Sequence, residues 1–221
     1  MPKTYVDHLT RARTALLTEL AMEVTDRRVL DAIARVPRER FVPQELRLFA
    51  YENRPLPIGY GQTVSQPLIV AMMTEALQLS GNENLLEIGT GSGYQAAVLS
   101  LLADHVVTVE RIAPLAERAA NVLAELAYLN VEVHTAGATL GWPQGAPYDA
   151  IIVTAAAPEV PRELLDQLAM GGRLVIPVGG RDLQELVRIT RTPDGAVRNN
   201  LGPCRFVPLV GRGAWPEGAS L

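Results

Sequence analysis

From Asn84 onward the chain alternates short apolar runs rich in Val, Ile and Leu with stretches of helical spacing, and this alternation constrains the fold more than any other feature. "LLEI" and "HVVTVE" read as strands on either side of a helix from Tyr94 to Leu102. A helix from Pro114 to Leu129 follows, then the strands "VEVH" and "YDAIIVT", a helix from Pro161 to Leu168, and the strands "GGRLVIPVG", "LQELVRITR" and "RFVPLV". Strands joined through helices pair in parallel and need cover on both faces, so the expected fold is α/β, a doubly wound, mostly parallel sheet. "TPDGAV" carries an Asp-Gly turn, which predicts antiparallel pairing for the C-terminal strands.

Upstream the periodicity is helical. Apolar residues recur from Tyr5 to Leu20 and from Asp26 to Val36, a short helix fits Pro43 to Phe49, and Pro67 to Leu79 reads as a third helix closed by Gly81. Between these lies "PLPIGYGQTVSQPLIVA", with prolines and glycines concentrated around Gln62–Gln66. The expected organisation is a helical extension over residues 1–80, part of the same domain as an α/β core at 81–211, and a mobile tail at 212–221. A chain of 221 residues that is 48% hydrophobic can bury one sizeable core of this kind.

Composition removes several function classes. Lys and Arg number 20 against 24 Asp and Glu, a net charge of -4, which is no footprint for nucleic acid. Cys204 is the single cysteine, so neither an internal disulfide framework nor a thiolate metal cluster is available. His8, His105 and His134 share no ligand spacing and read as surface or structural residues; no metal site is expected. No apolar run approaches the ~20 residues that span a bilayer, and the N-terminal stretch, with Asp7 and Glu19, is no secretory signal. A cytoplasmic monomer is the expectation.

"LLEIGTGSGYQAA" places Gly89, Gly91 and Gly93 between the first core strand and its helix, with Thr90 among them and Glu87 two residues before. Glycines there allow a tight bend and close approach of a ligand to backbone N–H groups at a helix start. The spacing G-x-G-x-G differs from the dinucleotide pattern G-x-G-x-x-G, which argues against a nicotinamide oxidoreductase. Glu110 closes "HVVTVE" at a strand tip, where a carboxylate can accept both hydroxyls of a ribose. A ligand-free tight turn and a solvated charge are the plainer readings of these two features; their spacing together favours a nucleoside-containing ligand.

The glycine loop resembles the first motif of class I S-adenosylmethionine methyltransferases. With "DRRVLDAIARVPRERFVP", "RPLPIGYGQTVSQP", "GWPQGAPYDAIIVTAAAPEVP", "GGRLVIPVG" and "RFVPLVG", the chain from about Asp26 to Gly211 resembles the protein-L-isoaspartate O-methyltransferase family. The resemblance implies the Rossmann-like class I methyltransferase fold and methyl transfer from S-adenosyl-L-methionine to the free α-carboxylate of L-isoaspartyl residues in damaged proteins and peptides, which begins their repair. It makes Ser65 the active-site residue and puts Gln62, Thr63 and Val64 where cofactor and substrate meet, with Glu87, Gly89, Thr90, Gly91, Gly93, Glu110, Gly137 and Ala138 on the cofactor side. The "RFVPLV" strand would offer backbone groups to an extended peptide. Ser65 also stands where an N-cap for the helix beginning near Pro67 belongs.

Two departures from the family pattern stand out. Where the family carries G-D-G, this chain reads Ala136-Gly137-Ala138, so the Asp expected at the adenine amino group is missing; and Asn53 occupies a position where Asp is expected. They keep two alternatives open: a non-catalytic or weakened binding protein on the same fold, and a methyltransferase for another carboxylate. Trp142 and Trp215 are candidates to shield the cofactor or to pack, and Cys204 reads as a small half-buried side chain rather than a nucleophile.

Overall fold

The computed structural model describes residues 3–211 and 213–216. Two helices, α1 (Lys3–Leu20) and α2 (Arg27–Arg35), lead into short 3-10 turns and a small hairpin, β1 (Leu56–Gly59) and β2 (Gln62–Val64), followed by α3 (Pro67–Ala76). The core then runs β3 (Asn84–Ile88), α4 (Tyr94–Ser100), β4 (His105–Glu110), α5 (Ala113–Glu125), β5 (Val131–Thr135), β6 (Tyr148–Val153), α6 (Arg162–Gln167), β7 (Leu168–Gly179), β8 (Gln184–Thr192) and β9 (Gly195–Cys204).

The core strands form one seven-stranded sheet in the order β5-β4-β3-β6-β7-β8-β9. The first five are parallel, while β7-β8 and β8-β9 pair antiparallel. The chain order reverses between β3 and β6, and that switch point leaves a crevice at the strands' C-terminal ends. Ala150, Ile151, Ile152 and Val153 of β6 are fully buried because helices or neighbouring segments cover both faces, which is why the run is continuously apolar. On one side α1 and α2 pack with Phe41 and Tyr51 against Ala96–Val98 of α4 and Leu115 of α5. Met73 and Leu77, at and just past the end of α3, join Leu85, Val106 and Ile152. The helical extension therefore shares the core of the sheet.

Three local expectations are corrected. "RFVPLV" is not a strand of the sheet; the two-residue turn at Pro193–Asp194 returns the chain at once, and β9 at Gly195–Cys204 takes the place beside β8. Pro208 makes only an isolated bridge to Ala156. Strand β7 starts at Leu168, directly after α6, with Leu168 opposite Tyr148 and Arg173 opposite Ala150. Helices α3 and α5 stop early because Gln78 (φ 51°) and Ala127 (φ 58°) turn left-handed just beyond them.

Of the tail, residues 212 and 217–221 lie outside the described residues. Trp215 returns to the body, its N–H donating to Leu209 O at 2.9 Å. Among the described residues no helix is long and apolar enough to cross a membrane.

Candidate active site

A cleft enclosing about 1070 Å³, its open mouth included, sits at the switch point. Its floor is the turn after β3. Gly89 N donates to Val109 O at 2.8 Å, which folds the loop back on β4. At φ 97° Gly89 takes a conformation that side-chain-bearing residues disfavour, and a Cβ there would collide with Thr154 Oγ1 at the end of β6. That hydroxyl donates to Gly89 O at 2.8 Å. Sequence and packing thus both require glycine at this point.

Glu110 ends β4 at the cleft wall. Its carboxylate accepts from Gly91 N and from Ile112 N, each at 2.9 Å. Glu87 behaves differently. It is fully buried beneath the loop and does not line the cleft; its Oε2 accepts from Thr108 Oγ1 at 2.6 Å, and Thr108 meets Thr90 Oγ1 at 2.7 Å. Burial pushes its pKa up to about 8, with Glu110 adding in the same direction against the Thr108 hydrogen bond. Thr90, by contrast, faces the cleft, so a chain of hydroxyls joins the cleft wall to this carboxyl group.

The opposite wall is the β1-β2 hairpin and the residues after it. Gln62, Thr63, Val64 and Ser65 all line the cleft across from Gly89, Thr90 and Gly91. The hairpin turns through Gly59, Tyr60 and Gly61, all at positive φ, and Arg118 Nη2 of α5 donates to Ile58 O at 2.6 Å, tying the hairpin to the core. The alternative reading of Ser65 as a helix cap does not hold: no cap bond comes from its side chain, and Leu68 N at the start of α3 donates instead to Asn53 Oδ1 at 3.0 Å. Asn53 also donates through Nδ2 to Glu19 Oε1. An Asp there would face that carboxylate, which gives Asn a physical reason.

Gly137 and Ala138 line the cleft beyond β5, and a Cβ added at Gly137 would meet nothing within 4 Å. Gly93 does not line it; its φ of 87° starts α4 close against Ala119 and Leu123. The structure adds wall residues that sequence reasoning left out: Tyr94, Gln95, Thr154 and Val207–Gly211. The last group could be found only through the "RFVPLVG" segment. Val207 O and Leu209 N are both bonded to Ala156, so these two backbone groups close the cleft rather than stand free for a peptide.

Neither tryptophan lines the cleft: Trp142 stacks on His134 with ring centroids 3.9 Å apart, and Trp215 lies by Arg181. Cys204 is buried, and burial pushes its thiol up to about 11, away from nucleophilic use. Among the described residues no cluster of His, Cys, Asp and Glu could hold a metal ion.

The family model for protein-L-isoaspartate(D-aspartate) O-methyltransferase matches residues 11–214. The chain belongs to this family. It is 54% identical over 208 residues to the protein-L-isoaspartate O-methyltransferase of Geobacter metallireducens, covering 94% of this chain and 96% of that one. It is 56% identical over 194 residues to the namesake from Dictyoglomus thermophilum, covering 88% of each chain. A solved protein-L-isoaspartate O-methyltransferase superposes with a TM-score of 0.81 at 30% identity over 91% of this chain and 67% of that one. A Plasmodium falciparum structure, described as a candidate member in complex with S-adenosyl-L-homocysteine, shares the fold with a TM-score of 0.76 at 23% identity, over 87% of this chain and 95% of that one.

Proposed function

We propose that the protein transfers the methyl group of S-adenosyl-L-methionine to the free α-carboxylate of L-isoaspartyl residues in proteins and peptides, the first step of their repair. The observation that carries the reading is that Gln62–Ser65 and the Gly89–Gly91 loop with Glu110 face one another across a single cleft. Family membership and the relatives' names support the reaction class. The residues fit the cofactor: Gly89 and Gly91 present backbone without side chains to the cleft, and Glu110 puts a carboxylate on its wall that would accept the hydroxyls of a ribose.

Bound there, the cofactor supplies an electrophilic methyl on a sulfonium. The protein's part is placement. A carboxylate of ordinary pKa near ~4 is ionised at neutral pH, so no general base is required. The Ser65 hydroxyl, on the wall opposite the loop, donates to the carboxylate oxygen that is not methylated and aims the other at the methyl. Orientation of this kind can supply about 7–11 kcal/mol. Anion and cation become a neutral ester and thioether, so a wall poor in charge, with Glu110 and Arg111 its only carboxylate and guanidinium among the described residues, favours the step by excluding water. Glu87 supports the loop from beneath through Thr108 and Thr90, and Gly93 sets the start of α4.

In this reading residues 1–80 supply the substrate-side wall and 81–211 the cofactor side. The cleft is complete within one chain, which supports a monomer; one buried cysteine and no disulfide suit a cytoplasmic protein. The test is transfer of labelled methyl to an isoaspartyl peptide and to its aspartyl twin. Labelling of the first alone is expected; equal labelling of both, or of neither, overturns the proposal. Ser65→Ala is expected to lower kcat while cofactor affinity, read by calorimetry, stays near that of the parent.

A further inference from the structure

Arg38 is fully buried, yet among the described residues no carboxylate pairs with it. Its Nε donates to Ala50 O and its Nη2 to Ser65 O, both at 2.8 Å. Its Cζ lies 4.5 Å from the ring centroid of Tyr94, the first residue of α4 after the glycine loop. Nη1 has no partner. An isolated buried cation is costly, and burial lowers its pKa; its removal would in turn leave Ala50 O and Ser65 O without these donors. With no ion pair to offset that cost, the use of this charge lies in what it holds.

The contacts suggest what that use is. One planar guanidinium bonds the carbonyl of Ser65 on the substrate side and lies over the ring of Tyr94 on the cofactor side, and both residues line the cleft. The second bond, to Ala50 O, anchors the group to the helical extension. A lysine could make one of these bonds but has neither the fork nor the flat face to keep all three contacts. We propose that Arg38 is a positioning residue for methyl transfer: it holds the Ser65 backbone at a fixed separation from the cofactor loop, and so sets the distance from carboxylate oxygen to methyl without touching either.

This rests on the placement of the substrate carboxylate at Ser65 given above, and the experiment separates the two. Arg38→Lys, Ser65→Ala and the double variant are compared for kcat and KM with an isoaspartyl peptide, for cofactor affinity by calorimetry, and for melting temperature. Misplacement of reacting groups by about an ångström costs on the order of a hundredfold, so Arg38→Lys is expected to lose roughly tenfold to a hundredfold in kcat, with cofactor affinity and peptide KM little changed. Because Arg38 acts through Ser65, the double variant is expected to be no slower than the slower single variant. Methylguanidinium added to Arg38→Ala is expected to restore part of kcat without moving the melting temperature; Arg38→Lys serves alone if the alanine variant does not fold. Additive losses in the double variant, or a raised KM with kcat intact, overturn the positioning role while leaving Ser65 in place. Parental kcat in Ser65→Ala overturns the Ser65 placement and with it the route by which Arg38 would act.

Discussion

Replacing Gly89 with alanine tests the cradle most directly, because two separate costs meet at one atom. The first is conformational: at φ 97° an L-residue pays about 1–2 kcal/mol relative to glycine. The second is collision, since the new Cβ lies against Thr154 Oγ1 while the rest of that side chain stands clear, its Cβ at 3.7 Å. Relieving it means moving a hydroxyl that bonds Gly89 O, a strain of about 1–3 kcal/mol. Gly89→Ala should therefore destabilise the fold by about 2–5 kcal/mol. Thr154→Ala alone should cost about 1 kcal/mol, the value of a lost hydrogen bond. In the Thr154→Ala background the collision is gone, and Gly89→Ala should cost only the conformational part, about 1–2 kcal/mol. Urea unfolding of the four proteins measures this, provided the m-values agree. A Gly89→Ala cost that is the same in both backgrounds, or near zero in either, would refute the reasoning.

Three further outcomes follow from geometry already described. Gly137→Asp enters open space and supplies the carboxylate that the family resemblance leads one to expect there, so calorimetry should show cofactor binding tightened by about 1.5–3 kcal/mol, roughly tenfold to a hundredfold; unchanged affinity counts against an adenine contact there. Glu87, raised from 4.5 to about 8, holds a proton in the folded state that the unfolded chain has released, so its stabilising contribution is complete below about pH 4.5 and is lost as pH rises through about 8. Glu87→Gln should accordingly flatten the fall in unfolding free energy across that window, and an unaltered slope would show that Glu87 is ionised throughout. Asn53→Asp keeps the cap on Leu68 but sets two carboxylates against each other, and should destabilise by about 1 kcal/mol at neutral pH; Glu19→Gln in the same chain should recover it, as melting curves would reveal.

The central strands were legible in the sequence because β3, β4 and β6 are buried on both faces and so are mainly Val, Ile and Leu, broken by few polar residues such as Glu87 and Thr108, and the glycine loop was legible because its conformation excludes other residues. Helix ends were less so: Gln78 and Ala127 adopt left-handed geometry without the glycine that usually announces it. Asn53 stood out as a departure, but its reason lay in Glu19, 34 residues away, which no local pattern exposes. Glu87 showed the opposite failing. Its place before the loop suggested a ligand contact, whereas the pleat turns it inward beneath the loop, and only the hydroxyls of Thr108 and Thr90 connect it to the cleft. "RFVPLV" has the composition of a strand, yet the tight turn at Pro193–Asp194 had already committed the sheet edge to β9.

The segment Val207–Gly211 closes the cleft by bonding to Ala156, so the wall nearest the end of the described chain completes a site whose opposite wall lies near its beginning. During synthesis the Gln62–Ser65 wall emerges first, the glycine loop next, and this closing strip last. A nascent chain still short of Gly211 therefore has a cleft open to water on one side. The shelter of the cleft therefore depends on a strip that follows the last strand of the sheet, and it is complete only once the chain has been made beyond β9.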